Sequence, residues 1–208
     1  MNPRTQRRYR NIIRRTGIRP ERALEVGGLM GDDSLLRFPE LAAADRYCLN
    51  LRELPSEHGI TAVKGNANDM RGLFASDWFD LVLCSATLEH DKRFWRSVAE
   101  MRRVLRPGGL LIISVPGYIK DPETDRGRST LTYRVHYSYD YYRFSEQAVR
   151  QVFFEGMERV RVRAIYTPPR IFGHGYKPLP PSRATQAKRI ARRAARRARR
   201  IASKPRHR

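Results

Sequence analysis

The stretch ALEVGGLMGDDS, residues 23–34, decides the fold. It begins with a short apolar run of β character, which turns at Gly27-Gly28 and meets the helix-capping residues Asp33 and Ser34. A buried strand that enters a Gly-rich turn and opens a helix is typical of the first crossover of a doubly wound α/β domain. Such a turn admits a ligand to unpaired backbone N–H groups. From these residues alone, a plain strand–turn–helix joint without a ligand is the alternative.

A second strand–helix–strand unit lies in the middle of the chain. FDLVLCS, Phe79 to Ser85, is a continuous apolar run that fits a central strand covered on both faces. Apolar residues at helical spacing predict a helix over 91–105, which Arg106-Pro107-Gly108-Gly109 ends. LLIISV, residues 110–115, is the next buried strand. This alternation indicates a largely parallel sheet.

The remaining elements are shorter. A short helix is expected after Asp33, another between residues 51 and 59, and one over 145–154. The other strands are expected at residues 23–26, 46–51, 60–64, 158–166 and 171–177. We therefore predict a Rossmann-like, doubly wound α/β domain whose seven-stranded sheet is mostly parallel with an antiparallel C-terminal edge.

Charge divides the chain into three parts. The formal net charge is +21, yet residues 1–20 hold seven arginines and residues 183–208 hold twelve basic residues, both without an acidic residue. The middle is almost neutral, with 23 basic and 21 acidic residues. We predict a basic N-terminal arm at 1–20, a globular domain at 21–178, and an Arg/Ala-rich tail at 179–208 that is helical or disordered. Within it, residues 183–208 could meet nucleic acid, an anionic surface, or no specific partner.

The two cysteines, Cys48 and Cys84, lie in apolar strand-like runs, which favours buried free thiols in a reducing compartment. No metal-ligand spacing occurs, no run is long enough for a membrane span, and the N-terminus lacks the apolar segment of a signal peptide. A cytoplasmic protein without a metal site is the expectation.

Five segments in this order carry a resemblance to a known family: ALEVGG, GNANDM, FDLVLCSATLEH, LRPGGLLIISVPG and YYRFSEQAVRQVF. Over about residues 20–178 the chain resembles a class I S-adenosylmethionine-dependent methyltransferase of the type 11 group. The resemblance implies S-adenosylmethionine as cofactor. It also implies cofactor-binding residues at Glu25, Gly27, Gly28, Gly31, Asn50, Asn66, Ala67 and Ser85.

Three positions depart from the family pattern. Leu29 stands where the family has its middle glycine, Asn50 where it has an acidic residue, and Asn66 where it has an aspartate. An amide can still hydrogen-bond a ribose hydroxyl, but without charge assistance. These departures leave open a binding module that keeps the fold and has lost efficient use of the cofactor.

Methyl transfer from a sulfonium needs mainly positioning, and a general base only when the acceptor must lose a proton. His90 and His136 are the candidate bases; each could instead be an ordinary polar loop residue. The long connection at 118–143 is rich in tyrosine and could form an aromatic lid over the acceptor or a self-packed surface loop.

The function expected is therefore methyl transfer to a small-molecule or glycan-type acceptor. The alternatives are an RNA or other nucleic-acid methyltransferase recruited by the basic tail, and the degenerate binding module.

Overall fold

A computed structural model describes residues 2–117, 119–120, 129–130, 140–166 and 169–181. Its strands are β1 (Arg22–Val26), β2 (Asp45–Asn50), β3 (Ile60–Lys64), β4 (Phe79–Ser85), β5 (Leu105–Pro116), β6 (Ile119–Lys120), β7 (Ser129–Thr130), β8 (Glu158–Tyr166) and β9 (Pro169–Tyr176). Its helices are α1 (Pro3–Thr16), α2 (Phe94–Val104) and α3 (Glu146–Ala148), the last of which continues as a π-helix over Val149–Phe153.

Seven strands form one sheet in the order β3-β2-β1-β4-β5-β9-β8. The first five strands in this order are parallel, whereas β9 runs antiparallel to β5 and β8 runs antiparallel to β9. This confirms the predicted doubly wound sheet and its antiparallel edge. The carboxyl ends of β1 to β5 consequently meet at one rim, where ligands bind in open α/β sheets.

Side chains of the central strands alternate between two apolar layers. Val82 and Cys84 of β4 contact one core cluster, which also contains Val98 and Met101 of α2. The intervening Leu81 and Leu83 contact a second cluster on the opposite face. Both faces of these strands are covered, which accounts for their mostly apolar sequences.

Helix α1 covers the second face. Asn2 caps its start, and Tyr9, Ile12 and Ile13 are buried among residues of that cluster. The Tyr9 hydroxyl donates to the Cys84 carbonyl at 2.7 Å. The segment predicted as a basic N-terminal arm thus supplies a 14-residue helix to the core.

The early crossovers contain less helix than expected. After Asp33 the structure has two 3-10 helices, Leu35–Arg37 and Pro39–Leu41, and not an α-helix. Residues 51–59 form turns where a short helix was predicted. Pro39 explains the first difference, because proline has no N–H to donate and disfavours the helical region at the residue before it.

The chain divides into two units, Met1–Pro178 and Leu179–Arg208. Residues 179–181 of the second unit form neither helix nor strand, and the predicted basic tail, 183–208, lies outside the described residues. Among the residues described, no helix is long and apolar enough to cross a bilayer.

Candidate active site

The glycine turn after β1 is fixed by contacts that exclude side chains. Gly27 has φ +76°, and a Cβ there would lie 2.3 Å from side-chain atoms of Thr87. Its N–H donates to the Leu49 carbonyl at 2.8 Å, which joins the turn to the end of β2. Gly31 has φ +98° with open space beside it. Both glycines are therefore required by backbone conformation.

The backbone at position 29 does not require a glycine. The φ of Leu29 is not positive, and its side chain is 53% exposed. The departure from the family pattern therefore strains no backbone, and the leucine is not packed into the core.

Glu25 lies beneath the turn. Its carboxylate accepts hydrogen bonds from the Ser34 hydroxyl at 2.8 Å and from the Leu35 N–H at 3.1 Å. Burial raises its pKa from 4.5 to about 7, and these hydrogen bonds oppose the rise. A Cβ on Gly28 would lie 2.6 Å from the Glu25 carboxyl carbon. The geometry gives Glu25 the role of holding the turn on the following loop.

Asn50 braces the same turn from the end of β2. Its Nδ2 donates to the Gly28 carbonyl at 2.7 Å, and its Oδ1 accepts the Arg52 N–H at 2.9 Å. A carboxylate could not make the first bond, which gives a physical reason for an amide here. The neighbouring Glu53 pairs with Lys64 at the surface.

The loop after β3 is tied to the turn after β4. Asn66 is exposed and its side chain accepts the Asn68 N–H at 2.9 Å, while Ala67 packs against the core. The Asn68 amide donates at 2.7 Å both to the Asp91 carboxylate and to the Ser97 hydroxyl. Asn68 thus joins the third loop to the fourth.

Two further bonds close a ring around the rim. Gly65 N–H donates to the Asn50 carbonyl at 2.8 Å, and the Thr87 hydroxyl donates to the Val26 carbonyl at 3.3 Å. The loops after β1, β2, β3 and β4 are consequently linked in a closed circuit of hydrogen bonds, which we call the loop ring. The loops that contain Gly27, Asn50 and Asn66 therefore lie next to one another at this rim.

A cluster of polar side chains lies beside the loop ring, at the carboxyl ends of β4 and β5. The Ser85 and Ser114 hydroxyls are 3.1 Å apart, and Arg170 donates to Ser114 at 3.2 Å. Tyr9 reaches this place from α1, and burial raises the pKa of its hydroxyl. Ser85 therefore belongs to the boundary of the rim.

Glu89 is the least satisfied polar residue at this rim. It is 4% exposed, and among the described residues its Oε2 accepts no hydrogen bond. Its other oxygen lies 3.9 Å from Nε2 of His90, which is partly exposed. Burial raises the pKa of Glu89, while Arg170 and His90 oppose the rise. A buried, unsatisfied carboxylate with a raised pKa marks a candidate reactive site.

Aromatic residues stand next to this pair. The Tyr141 and Tyr142 N–H groups donate to the Glu89 carbonyl at 2.8 and 3.3 Å. The Tyr142 ring packs at 5.1 Å on Phe94, and Lys92 lies over the Tyr141 ring. The end of the Tyr-rich connection thus lies at the rim. His136, Tyr133, Tyr137 and Tyr139 lie outside the described residues.

The two thiols and the acidic groups offer no metal chemistry within the described part of the chain. Cys48 and Cys84 are buried and unpaired, and burial raises the pKa of both. No cluster of three His, Cys, Asp or Glu side chains that could hold a metal ion occurs among those residues.

Sequence reasoning missed Asn68 and Asp91 as connectors and Glu89 as a reactive group. Asn68 carried no signal, because its importance arises from a contact across 23 residues. Glu89 carried no clear signal either, because it lies four residues beyond β4 between Leu88 and His90, and glutamate is seldom fully buried.

Comparison with known proteins agrees with this architecture. Residues 38–113 match a family model described as a methyltransferase domain. A search of curated protein sequences finds no match.

Solved structures share the fold at low identity. A 1,6-didemethyltoxoflavin-N1-methyltransferase from Burkholderia thailandensis has a TM-score of 0.60 and 19% identity over 83% of this chain and 78% of that one. A SAM-dependent methyltransferase from Methanosarcina mazei has a TM-score of 0.53 and 19% identity over 81% and 98%. A phosphoethanolamine N-methyltransferase from Haemonchus contortus has a TM-score of 0.61 and 14% identity over 83% of this chain and 52% of that one.

The fold is that of class I methyltransferases, and the match of residues 38–113 to the methyltransferase-domain model supports a class I S-adenosylmethionine-dependent methyltransferase.

Proposed function

We propose that this enzyme transfers a methyl group from S-adenosylmethionine to a small-molecule acceptor, with glycan-type acceptors included. The observation that supports the proposal is the loop ring, because it joins four strand-end loops at one rim beside a buried carboxylate. Two structural neighbours are named as methyltransferases of small molecules, a toxoflavin precursor and phosphoethanolamine, which supports this acceptor class.

The residues present fit the cofactor with one change from the family pattern. Gly27, Gly28 and Gly31 would let it approach the backbone, and Ala67 would offer it an apolar contact. Glu25 and Asn50 hold the turn from below and from the side, so we assign them positioning roles. Asn66 is exposed at the rim and free of the core, where its amide could face an adenine edge.

The bound cofactor supplies an activated methyl group, which the acceptor's lone pair takes in line as the carbon–sulfur bond breaks and the sulfur keeps its electron pair. The rim would orient the acceptor for this in-line attack. An acceptor that must lose a proton would pass it to the Glu89–His90 pair, where the raised pKa of Glu89 makes its carboxylate a stronger base. Tyr141 and Tyr142 would exclude water from the acceptor side.

Binding of S-adenosylhomocysteine, measured by titration calorimetry with the full chain, tests the proposal. We expect a micromolar Kd for the wild type and a change of less than about threefold for Leu29→Gly, because Leu29 is exposed and unstrained. No binding by the wild type, restored by Leu29→Gly, would instead identify the degenerate binding module.

Acceptor class is tested with labelled S-adenosylmethionine. Transfer of label to metabolites in a cell extract from which macromolecules have been removed supports the proposal. Transfer to RNA alone, abolished by deletion of residues 183–208, would favour the nucleic-acid alternative.

A further inference from the structure

A groove lined with arginines lies between α1 and the edge strand β8. Its volume is about 720 Å³, and its base is formed by apolar residues such as Ile12 and Phe172. Among the described residues, every charged side chain that lines it apart from His174 is an arginine: Arg8, Arg15, Arg150, Arg159, Arg161 and Arg163. We call this feature the arginine groove.

Two regular elements align these side chains. Arg8 and Arg15 lie seven residues apart on α1, which is two helical turns, or about 10 Å, along the same helix face. Arg161 and Arg163 alternate on β8 and therefore point to the same side of the sheet, about 6.7 Å apart. The groove is thus bordered by a row of guanidinium groups on each side.

A β-bulge directs a further arginine into the row. The register between β8 and β9 shifts between Glu158 and Arg161, and Arg159 takes φ +50°. Its guanidinium lies 4.9 Å from the centre of the Tyr176 ring. Bulges at sheet edges commonly redirect a side chain, and the unusual φ indicates that this direction is maintained against local preference.

The described residues supply no counter-charge to most arginines of the arginine groove. Among the described residues, Arg8, Arg15, Arg150, Arg161 and Arg163 form no ion pair with a carboxylate. Arg161 and Arg8 also lower the pKa of the half-buried His174, after the larger effect of burial. One or two charges suffice to protect an edge strand from pairing with another chain. Six clustered like charges repel each other, so their clustering calls for a counter-charge from a ligand.

The distribution of the charges indicates the kind of ligand. A single anion needs donors that converge on one point, whereas these arginines extend along two elements. A flat bilayer surface would not enter a concave groove. Guanidinium groups pair with phosphate oxygens through two parallel hydrogen bonds. We propose that the arginine groove binds the phosphate backbone of a nucleic acid, largely independently of base sequence.

This site is separate from the loop ring. The arginine groove lies along the α1 face and the β8 edge, whereas the loop ring lies at the carboxyl ends of β1 to β4. Failure of nucleic-acid binding would therefore leave the proposed methyl transfer untouched, and the reverse also holds.

Fluorescence anisotropy with the full chain and a labelled 15-nucleotide single-stranded RNA tests the proposal, with an equal-length DNA strand and an RNA duplex as further probes. The variant Arg161→Ala/Arg163→Ala removes two exposed side chains of the groove. We expect about a tenfold loss of affinity at 0.1 M salt, and a slope of log K against log salt that is smaller in magnitude by about 1.4.

The matched control is Arg71→Ala/Arg96→Ala, which removes the same charge from exposed positions outside the groove. It should change the affinity less than twofold, and both variants should keep the wild-type melting temperature. Equal losses in the two variants would show binding by net charge alone and overturn the proposal. Polyglutamate and vesicles of equal parts phosphatidylserine and phosphatidylcholine are the competing probes. The proposal would also be overturned if either bound more tightly than RNA in a way that depends on the groove arginines.

Discussion

Replacing Glu25 by glutamine should make the protein more stable at neutral pH, although the residue occupies a family motif position. Glu25 is buried beneath the glycine turn, and burial raises its pKa from 4.5 to about 7. An ionised carboxylate at this place is therefore less favourable than a neutral group. Glutamine keeps an oxygen that can accept from the Ser34 hydroxyl and the Leu35 N–H.

The sign and size of the effect follow from proton linkage. The folded-state pKa of Glu25 is above its unfolded value. The contribution of Glu25 to the free energy of unfolding is therefore complete below pH 4.5, and it is lost as the pH rises towards and through 7. The difference in pKa corresponds to about 3 kcal/mol. Glu25→Gln should resemble the wild type at pH 4 and gain up to about 3 kcal/mol over it by pH 8.

Urea denaturation followed by circular dichroism at unit steps from pH 4 to pH 8 measures this difference. Glu40→Gln is the matched control, because Arg10 and Arg14 lower the pKa of Glu40 against the opposing effect of its partial burial. Compared with the wild type, Glu40→Gln should have a lower free energy of unfolding above pH 4.5. This difference should vanish as the pH falls through the lowered pKa of Glu40. A Glu25→Gln difference that does not change with pH, or that is destabilising at pH 8, would refute the reasoning.

Three further outcomes follow from buried polar contacts. Tyr9→Phe should destabilise the fold by about 1 kcal/mol in thermal unfolding, because its hydroxyl donates to the buried Cys84 carbonyl; an unchanged melting temperature would contradict this. Asn68→Ala should weaken S-adenosylhomocysteine binding about tenfold in calorimetry, since it opens the loop ring at Asp91; full affinity would show that the ring does not shape the crevice. Glu89→Gln should lower kcat at least 100-fold with little change in KM and remove the acid limb of the pH profile, and an unaltered profile would exclude Glu89 as the base.

The sheet could be predicted because its signals are local. FDLVLCS and LLIISV are apolar at every position except Asp80, Ser85 and Ser114, and such a run is typical of strands covered on both faces. The final hairpin was also found, since β8 begins and ends where expected, at residues 158 and 166. The helices predicted in the early crossovers were wrong. Pro39 accounts for the two 3-10 helices after Asp33, and residues 51–59 form no helix.

The site was predictable in place but not in its interactions. The glycines and Asn50 could be located by motif spacing. The hydrogen bonds from Asn50 to the Gly28 carbonyl and from Asn68 to Asp91 could not be predicted, because each joins residues that are distant in sequence. The same holds for the arginine groove, which joins the first helix to a strand near residue 160 that no local pattern connects to it.

The position of α1 has a consequence for folding during synthesis. A ribosome makes Tyr9 before any strand that the helix covers, and its ring packs at 5.5 Å against Phe172, which is made 163 residues later. At a synthesis rate of about 5–20 residues per second, Phe172 is made roughly 8–30 s after Tyr9. Until then the apolar side of α1 is exposed, and the six arginines of α1 oppose association of the incomplete chain through their like charge.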